Sequence, residues 1–290
     1  MEQMTKVLIL GATSFVADGF ADKLRNLHYS VDEFSRGNNS LRSGNIIKGV
    51  YTKINLNVEF AANYDIVVDF AVLKNQSVDD NIVYAQALVE FCKIHKVKKL
   101  IHFSTIMNYN YHLKSVDEFT PIEALSDTVK KGYAELKIAV DQYLISVRES
   151  LPFELVLVRP GYVLAGNRPC PFIKKLPLGF SIIKGNKKSK QPIVKRDEIH
   201  KALLQIINTE SNDSVYHFFP NNGMTKYRYA KESVGGFIIT MPKCIFKWIP
   251  GLLCKLGCIS KALYSRFDGM YIESDFDSSR TEQKLKIKFS

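Results

Sequence analysis

The sequence has few cysteines, and none of them stands in a spacing typical of metal binding or redox chemistry. The five are Cys92, Cys170, Cys244, Cys254 and Cys258, and no two of them form a CxxC pair. Cys254 and Cys258, the closest pair, have no histidine nearby, so the ligand spacing of a zinc site is missing. We therefore expect reduced thiols, no bound metal and a cytoplasmic protein.

Long uninterrupted apolar stretches are also missing. The most apolar region, residues 236–264, is broken by Pro242 and Pro250 and by several lysines. A membrane-spanning helix needs about 20 largely uncharged residues, so no transmembrane span is predicted. Two alternatives stay open for this region: short helices that cover a substrate pocket, or a basic amphipathic helix in peripheral contact with a membrane. An earlier apolar run, Lys6–Leu10, continues directly into Gly-Ala-Thr and predicts a buried strand rather than a secretory signal.

Acidic residues are in deficit. The 290 residues include 29 Asp+Glu against 40 Lys+Arg, which gives a net charge of +11. An excess of positive charge favours an anionic partner. Nucleic acid is not expected in that role, because the sequence has no known reader motif and no basic patch interleaved with aromatics. Ordinary proportions of hydrophobic (46%) and charged (24%) residues exclude a disordered or collagen-like chain.

What the sequence does contain is an alternation of short apolar runs with segments of helical spacing. The apolar runs are Lys6–Leu10, Val31–Phe34, Asp65–Phe70, Lys99–Ser104 and Leu155–Arg159, and the helical segments are Phe15–Leu27, Ile82–His95 and Val129–Val147. This alternation predicts an α/β fold with a doubly wound parallel sheet, centred on a nucleotide-binding domain over residues 1–165. Residues 166–290 are expected to form a smaller C-terminal substrate lobe, interleaved with the last strands of the sheet near 191–220. Within it, residues 167–185 contain three prolines and are expected to be irregular.

The junction between the first apolar run and the first helical segment has the form of a phosphate-binding turn. Gly11 would make the tight turn, and small residues after it let the backbone approach a pyrophosphate. Gly11-Ala-Thr-Ser-Phe-Val-Ala17 resembles the Gly-Ala-Thr-Gly-Phe-Ile-Gly turn of the extended short-chain dehydrogenases/reductases, with Ser14 and Ala17 in place of two glycines. These are the NAD(P)-dependent sugar-nucleotide epimerases, dehydratases and reductases. The resemblance implies a Rossmann domain and assigns these turn residues to the cofactor: Gly11, Thr13, Ser14, Phe15 and Val16.

The end of the second strand distinguishes between the two nicotinamide cofactors. In dinucleotide-binding folds, an acidic residue there accepts hydrogen bonds from the ribose of NAD, whereas a basic residue binds the 2′-phosphate of NADP. This sequence has Ser35 and Arg36 at that place, which would together hold the 2′-phosphate, since a guanidinium suits a phosphate. NADP(H) is therefore favoured over NAD(H), with a solvated surface arginine as the alternative.

A tyrosine and a lysine share one face of the third helical segment. Tyr133 and Lys137 are four residues apart, so they lie on the same side of a helix. A nearby ammonium favours the phenolate, which helps the tyrosine to exchange a proton with a carbinol or carbonyl oxygen. In the family, a strand ending in Ser-Ser or Ser-Thr precedes this pair, and a tyrosine follows four residues later. Tyr109 takes that place here, so the resemblance assigns the catalytic hydroxyl to Thr105 rather than Ser104, and implies Thr105, Tyr133 and Lys137 as the catalytic residues. Tyr133 and Lys137 are implied at the cofactor as well.

Further matches extend the resemblance over about residues 6–220. Ala71 ends a strand that borders the cofactor in the family, and Pro160 lies in an Arg-Pro-Gly segment that passes beside the nicotinamide. The basic stretch Lys184–Arg196 falls where the family binds the diphosphate of its substrate, with a solvated loop as the alternative. The resemblance therefore implies a nucleotide-diphosphate sugar as substrate, and a homodimer by analogy with family members.

The residues after Thr105 narrow the reaction. Sugar 4,6-dehydratases of the family place Asp-Glu there, whereas this sequence has Ile106-Met107, which cannot move protons. The leading hypothesis is an NADPH-dependent reductase of a nucleotide-linked keto sugar, a 4-keto-6-deoxy hexose, in nucleotide-sugar or surface polysaccharide biosynthesis. An epimerase that retains NAD is the alternative. A non-catalytic NADP-binding regulatory or assembly protein is a second alternative.

Overall fold

The computed structural model describes residues 4–36, 45–57, 60, 63–110, 112–165, 170, 172–210, 213–221, 223–234, 236–240, 248–260, 263–264 and 274–290. Its strands are β1 (Lys6–Leu10), β2 (Ser30–Ser35), β3 (Asn45–Lys48), β4 (Ile66–Asp69), β5 (Lys99–Phe103), β6 (Ser115–Val116), β7 (Glu154–Pro160), β8 (Tyr162–Leu164), β9 (Ile173–Lys175), β10 (Phe180–Ile183), β11 (Lys190–Gln191), β12 (Ile193–Lys195), β13 (Val215–Phe218), β14 (Met224–Thr225), β15 (Phe237–Thr240) and β16 (Asp275–Phe276).

The α-helices are α1 (Phe20–Asn26), α2 (Val78–Ile94), α3 (Tyr133–Val147), α4 (Arg196–Asn208), α5 (Lys226–Ser233), α6 (Ile249–Lys255) and α7 (Ser279–Leu285). Short 3₁₀ helices cover Tyr51–Leu56, Ile106–Asn108, Arg148–Ser150 and Pro177–Gly179.

Seven strands form the central sheet in the order β13-β7-β5-β4-β1-β2-β3. Along this order, the neighbouring strands β7, β5, β4, β1, β2 and β3 pair in parallel. Helices α1, α2 and α3 lie in the connections from β1 to β2, from β4 to β5 and from β5 to β7. The predicted doubly wound α/β fold is therefore confirmed. The strand order reverses between β1 and β4, and in such sheets ligands bind outside the carboxyl ends of the strands at that point.

Helix α1 begins five residues later than its spacing predicts. The predicted start at Phe15 is wrong, because Gly19 has a φ of 79° and the helix begins only at Phe20. A left-handed residue cannot continue a right-handed α-helix. The segment between Gly11 and Gly19 is therefore a series of turns.

Helix α3 also begins after a glycine. Gly132 has a φ of 72° and a ψ of −129°, a conformation that residues with a side chain rarely adopt. The predicted start at Val129 is therefore wrong, and Tyr133 is the first residue of the helix. Lys137 lies about one turn further along.

Two stretches contain strands that the spacing does not predict. Strand β3 extends the edge of the central sheet beside β2. Strands β9 and β10 form an antiparallel pair within residues 167–185, so the prediction of an irregular segment is wrong for the described part of that stretch. Each of these strands has only three or four residues, too short for a clear periodic pattern.

The chain divides into two compact units. The first consists of Met1–Asn108, Gly132–Arg159 and His200–Tyr216, and the second of Tyr109–Lys131, Pro160–Ile199 and His217–Ser290. The predicted division of the chain at residue 165 stays a prediction. In the first unit, α2 and α3 bury their apolar sides in one core with β1, β4, β5 and β7. In the second unit, β9, β10 and α5 surround a smaller core.

Within the residues that the structure describes, no helix is long and apolar enough to cross a bilayer. Those same residues contain no cluster of three His, Cys, Asp or Glu side chains with the geometry of a metal site. Of the five cysteines, Cys244 lies outside the described residues, and the other four are free thiols.

Candidate active site of the first unit

Gly11 and Ala71 approach each other where the strand order reverses. A β-carbon added at Gly11 would lie 2.8 Å from the amide nitrogen of Ala71, and Gly11 itself has a φ of 69°. Space and backbone conformation therefore both require glycine at this position. Asp69 holds Ala71 in place by accepting its N–H at 2.9 Å. The backbones at the ends of β1 and β4 are therefore in direct contact, and in sheets of this kind the crevice that receives a pyrophosphate lies just outside this point.

The turn after Gly11 is stabilised by its own hydrogen bonds. The N–H of Ser14 donates to the carbonyl of Gly11 at 2.8 Å, and the Ser14 hydroxyl accepts the N–H of Ala17 at 3.3 Å. Ser14, which replaces a glycine of the family pattern, thus acts within the turn and retains its own O–H as a donor.

The remaining predicted cofactor residues of this turn are more accessible. Thr13 is exposed, and Phe15 and Val16 are half-buried. The carbonyl of Val16 lies 2.8 Å from Nε2 of His200, whose ring packs on Phe20 with centroids 5.1 Å apart. Through His200, helix α4 therefore packs against this turn.

Arg36 and Tyr51 lie together beyond the end of β2. Arg36 is exposed, and its guanidinium carbon lies 5.7 Å from the centroid of the Tyr51 ring. The Tyr51 hydroxyl donates to the carbonyl of Phe34 at 3.3 Å and accepts the N–H of Gly11 at 3.0 Å. Burial raises the pKa of Tyr51 to about 12, so this phenol is neutral and ties the ends of β1 and β2 together.

The acidic residues of β2 point into the protein rather than towards a ribose. The carboxylate of Asp32 accepts the hydroxyl of Tyr64 at 2.6 Å, and Glu33 forms a 2.7 Å ion pair with Arg25. Ser35, the last residue of the strand, is buried, and its carbonyl accepts the N–H of Gly49 at 3.3 Å.

Tyr133 is the accessible member of the predicted catalytic set. Its side chain is 37% exposed, as expected for a group that must reach a substrate. The ammonium of Lys74 lies 5.6 Å from the centroid of its ring. A cation at this distance attracts the face of the ring, and places a positive charge beside the tyrosine.

Lys137 is buried and held by the backbone of two strand ends. Its ammonium donates to the carbonyl of Phe103 at 2.5 Å and to that of Ala71 at 3.4 Å. Burial lowers the pKa of Lys137, and the charges of Asp69 and Asp141 offset that effect only in part. Lys137 thereby connects the end of β5 with the crevice beside Gly11.

Ser104 and Thr105 occupy different environments, although they are neighbours in the sequence. The Ser104 hydroxyl donates to Asp141 at 2.6 Å and accepts an N–H of Asn108 at 3.0 Å, so it faces the interior. The Thr105 hydroxyl accepts the N–H of Met107 at 3.2 Å, which leaves its O–H as a donor. Both residues are buried, so it is the O–H donor left on Thr105, and not a difference in exposure, that favours Thr105 as the hydroxyl for a substrate.

A network of buried charges lies beneath these residues. Nδ1 of His102 lies 2.7 Å from Asp69, and Nε2 of the same ring lies 3.8 Å from Asp141. Asp141 also forms a 3.3 Å ion pair with Arg159. Burial raises the pKa of Asp69, but the hydrogen bond and charge of His102, with the charge of Lys137, outweigh it and hold that pKa below its usual range.

Sequence reasoning missed this network and the roles of Tyr51 and Lys74. One signal for the network was present: Asp69 and His102 interrupt otherwise apolar strands, and polar residues in buried strands need partners. Asp141 lies four residues after Lys137, on the same side of the helix. Tyr51 had no such signal, because it is far from Gly11 in the sequence.

The structure brings four of the predicted residues of the first unit to two places. Gly11, Ala71 and Lys137 meet at the crevice, and Arg36 lies beyond β2 with Tyr51. These groups fit a nicotinamide dinucleotide, because a bare-backbone crevice suits the pyrophosphate and an exposed guanidinium suits a phosphate. Pro160, the last residue of β7, belongs to the second unit, and its role stays a prediction.

Comparisons with known proteins agree with this architecture. The sequence pattern of the NAD dependent epimerase/dehydratase family matches residues 7–191. No curated protein matches the sequence significantly.

Three solved structures illustrate the similarity of fold. A short-chain dehydrogenase/reductase superfamily protein from Agrobacterium tumefaciens, with bound NAD, has a TM-score of 0.74 at 11% identity, covering 98% of this chain and 92% of that one. MoeE5 in complex with UDP-glucose and NAD has a TM-score of 0.71 at 17% identity, with coverages of 98% and 93%. UDP-glucose 4-epimerase from Thermotoga maritima, with UDP-glucose, has a TM-score of 0.68 at 16% identity, with coverages of 99% and 94%. At these identities the structures demonstrate a shared fold.

Proposed function

The chain belongs to the NAD dependent epimerase/dehydratase family, and from this premise we propose that it is an NADPH-dependent reductase of a nucleotide-linked keto sugar, with a 4-keto-6-deoxy hexose as the sugar. The observation that carries the proposal is the position of Lys137, whose ammonium binds the carbonyls of Phe103 and Ala71. This contact places the helix of Tyr133 against the strand that leads to Thr105, beside the Gly11 crevice.

Each catalytic residue has a distinct task in this proposal. The reduced nicotinamide dinucleotide, which Gly11, Arg36 and Lys137 would hold, would supply the hydride for the carbonyl carbon. Tyr133 donates the proton to the carbonyl oxygen as general acid. The O–H of Thr105 hydrogen-bonds that oxygen and orients it. Lys137 supplies positive charge that favours the phenolate left on Tyr133 after proton transfer, and Lys74 adds to that charge.

The choice of NADPH over NADH rests on Arg36. It is exposed beyond β2, its guanidinium packs against Tyr51, and the two acids of the strand are engaged elsewhere. Arg36→Ala should raise the dissociation constant of NADPH about 10- to 100-fold, the equivalent of losing charged hydrogen bonds to a phosphate, and leave that of NADH unchanged. Arg228→Ala is the matched control, since Arg228 is an exposed arginine of the second unit. Equal weakening of both cofactors by Arg36→Ala would contradict the assignment.

The reductase is separated from its alternatives by a turnover assay. Ile106 and Met107 follow Thr105 as part of a short 3₁₀ turn and offer no acid or base, which disfavours the reaction of the sugar 4,6-dehydratases. Purified protein with NADPH and a panel of nucleotide-linked 4-keto sugars should oxidise the cofactor. Interconversion of sugar isomers without added cofactor, with NAD retained on the protein, would support the epimerase instead. Tight NADPH binding with no turnover on any carbonyl substrate would support a regulatory or assembly protein.

A nucleotide-diphosphate sugar as the substrate is part of the same proposal. Structures of similar fold are solved with UDP-glucose, and the basic stretch Lys184–Arg196 suits a diphosphate. The homodimer, the cytoplasmic location and the role in polysaccharide biosynthesis stay predictions from the sequence.

A further inference from the structure

Helix α6 exposes its apolar side and buries its other side. Trp248 is 69% exposed, Leu252 59% and Leu256 67%. Two further large side chains of the same segment, Ile249 and Leu253, are also exposed. We call these five residues the apolar arc: Trp248, Ile249, Leu252, Leu253 and Leu256.

The apolar arc is continuous around the helix. With 3.6 residues per turn, its three positions in α6 and the two cap residues, Trp248 and Leu256, fall within about 140° of the helix circumference. The positions on the other side are Pro250, which is buried, and Cys254, which is half-buried. Gly251 packs close to Tyr264, because a β-carbon added there would lie 3.3 Å from the ring. A surface helix of a globular protein ordinarily has the reverse arrangement, with polar residues outward.

An exposed contiguous apolar surface on a folded protein marks a site of interaction. The five residues of the arc are large, and they include a tryptophan next to leucines. Strand β15 of the same unit also exposes Phe237 (72%) and Ile239 (45%) on one face. Isolated exposed leucines are normal, but two apolar faces in one short region are not.

The surrounding sequence carries charge of only one sign. Residues 233–267 contain no Asp or Glu, and their basic residues are Lys243, Lys247, Lys255, Lys261 and Arg266. Lys255 is exposed at the end of α6, directly before Leu256 of the arc. A partner that covers this region must therefore accept apolar side chains and also supply negative charge.

We propose that the apolar arc docks this protein on the surface of an anionic lipid bilayer. Leucine and isoleucine would enter the acyl region, Trp248 would lie at the headgroup level, and Lys255 at the end of α6 would contact the anionic headgroups. A second copy of the chain is a poorer partner, because each copy has a net charge of +11 and the two would repel each other. The docking is peripheral and is independent of the proposed reaction, so either one can fail without the other.

The test is co-sedimentation of the purified full-length chain with vesicles. Vesicles of phosphatidylcholine alone are compared with vesicles that also contain phosphatidylglycerol, at low and high salt. The protein should sediment with the anionic vesicles and much less with the neutral ones. High salt should weaken the binding, because it screens the attraction between lysines and headgroups.

Variants of the arc connect that binding to α6. Leu252→Glu and Leu256→Glu should each reduce the vesicle affinity about tenfold or more, since each removes a leucine from the bilayer and adds a repelled charge. Leu56→Glu is the matched control: Leu56 is 70% exposed in the first unit, and its replacement should leave vesicle binding unchanged. Thermal unfolding of each variant checks that the protein remains folded.

Three results would overturn the proposal. The first is no sedimentation with anionic vesicles beyond that with neutral ones. The second is vesicle binding that Leu256→Glu and Leu56→Glu affect equally. The third is an oligomer, seen by analytical ultracentrifugation, that dissociates in Leu256→Glu while the protein binds no vesicles, which would identify a second copy of the chain as the occupant of the arc.

Discussion

The hydroxyl of Ser104 donates a 2.6 Å hydrogen bond to the buried carboxylate of Asp141. This bond attaches the end of β5 to the middle of α3, the helix that begins with Tyr133. It also turns Ser104 towards the interior, while the adjacent Thr105 retains its O–H. Two neighbouring hydroxyls are thereby given different tasks, one structural and one proposed as catalytic.

Replacing each hydroxyl separately should separate these tasks. Thr105→Val preserves the shape of the side chain and should lower kcat/KM about 10²–10³-fold, the loss expected on removing one donor to a developing oxyanion. Ser104→Ala should lower the free energy of unfolding by about 1–3 kcal/mol, because Asp141 loses a buried partner. Its kcat/KM should fall far less. Steady-state kinetics and urea unfolding of both variants measure the difference, and the reverse pattern would assign catalysis to Ser104.

Tyr133→Phe should separate the chemistry from cofactor binding. The substitution removes one hydroxyl and keeps the ring, so turnover should fall about 10²–10⁴-fold through loss of the general acid. NADPH affinity, measured by fluorescence titration, should change little. Tyr143→Phe, on the same helix, is the matched control and should retain normal turnover. Near-normal turnover of Tyr133→Phe would show that the assignment of the proton donor is wrong.

Two glycines of the segment after β1 test the close approach of Gly11 to Ala71. Both have a positive φ, but a β-carbon would collide with Ala71 only at Gly11 and would meet nothing within 4 Å at Gly19. Gly19→Ala should therefore cost about 1–2 kcal/mol of unfolding free energy from backbone strain alone. Gly11→Ala should cost about 1–3 kcal/mol more and should also abolish cofactor binding. Equal losses in the two variants, measured by urea unfolding and cofactor titration, would contradict the close approach.

Because Lys226 is buried, we expect the free energy of unfolding to depend on pH in the alkaline range. It is buried in the second unit, where its ammonium donates to the carbonyl of Lys184 at 3.1 Å, and burial lowers its pKa from 10.5 to about 8. Between these two pKa values the Lys226 side chain is protonated in the unfolded chain and neutral in the folded chain. The free energy of unfolding therefore rises as the pH increases from 8 to 10.5, and this added stability is lost as the pH falls back through 8.

The comparison with Lys226→Met isolates this effect from other titrating groups. At about 1.4 kcal/mol per pKa unit, the wild-type chain should gain about 2–4 kcal/mol relative to the variant across that interval. Urea unfolding at a series of pH values measures the gain. A difference between the two proteins that stays constant with pH would contradict the lowered pKa.

The sequence by itself determined the features that depend on local pattern. Continuous apolar runs alternating with helical spacing are sufficient for a doubly wound sheet, because each element must bury its own apolar face. The Gly11 turn, Arg36 after the second strand, and the spacing of Tyr133 and Lys137 were likewise evident from neighbouring residues. The starts of α1 and α3 were misjudged, because the conformations of Gly19 and Gly132 are set by the folded backbone.

Only the tertiary structure decided which distant groups meet. Tyr51 reaches Gly11, and His102 lies between Asp69 and Asp141, because the strand order places the ends of β1, β2, β4 and β5 side by side. The same applies to the choice between Ser104 and Thr105, which depends on a carboxylate from another element. The spacing of apolar residues in a helix such as α6 is the same whether the helix is buried or exposed. Which of the two holds depends on the other elements that pack against the helix. Periodicity specifies the faces of an element, and the packing of the chain specifies the neighbours of each face.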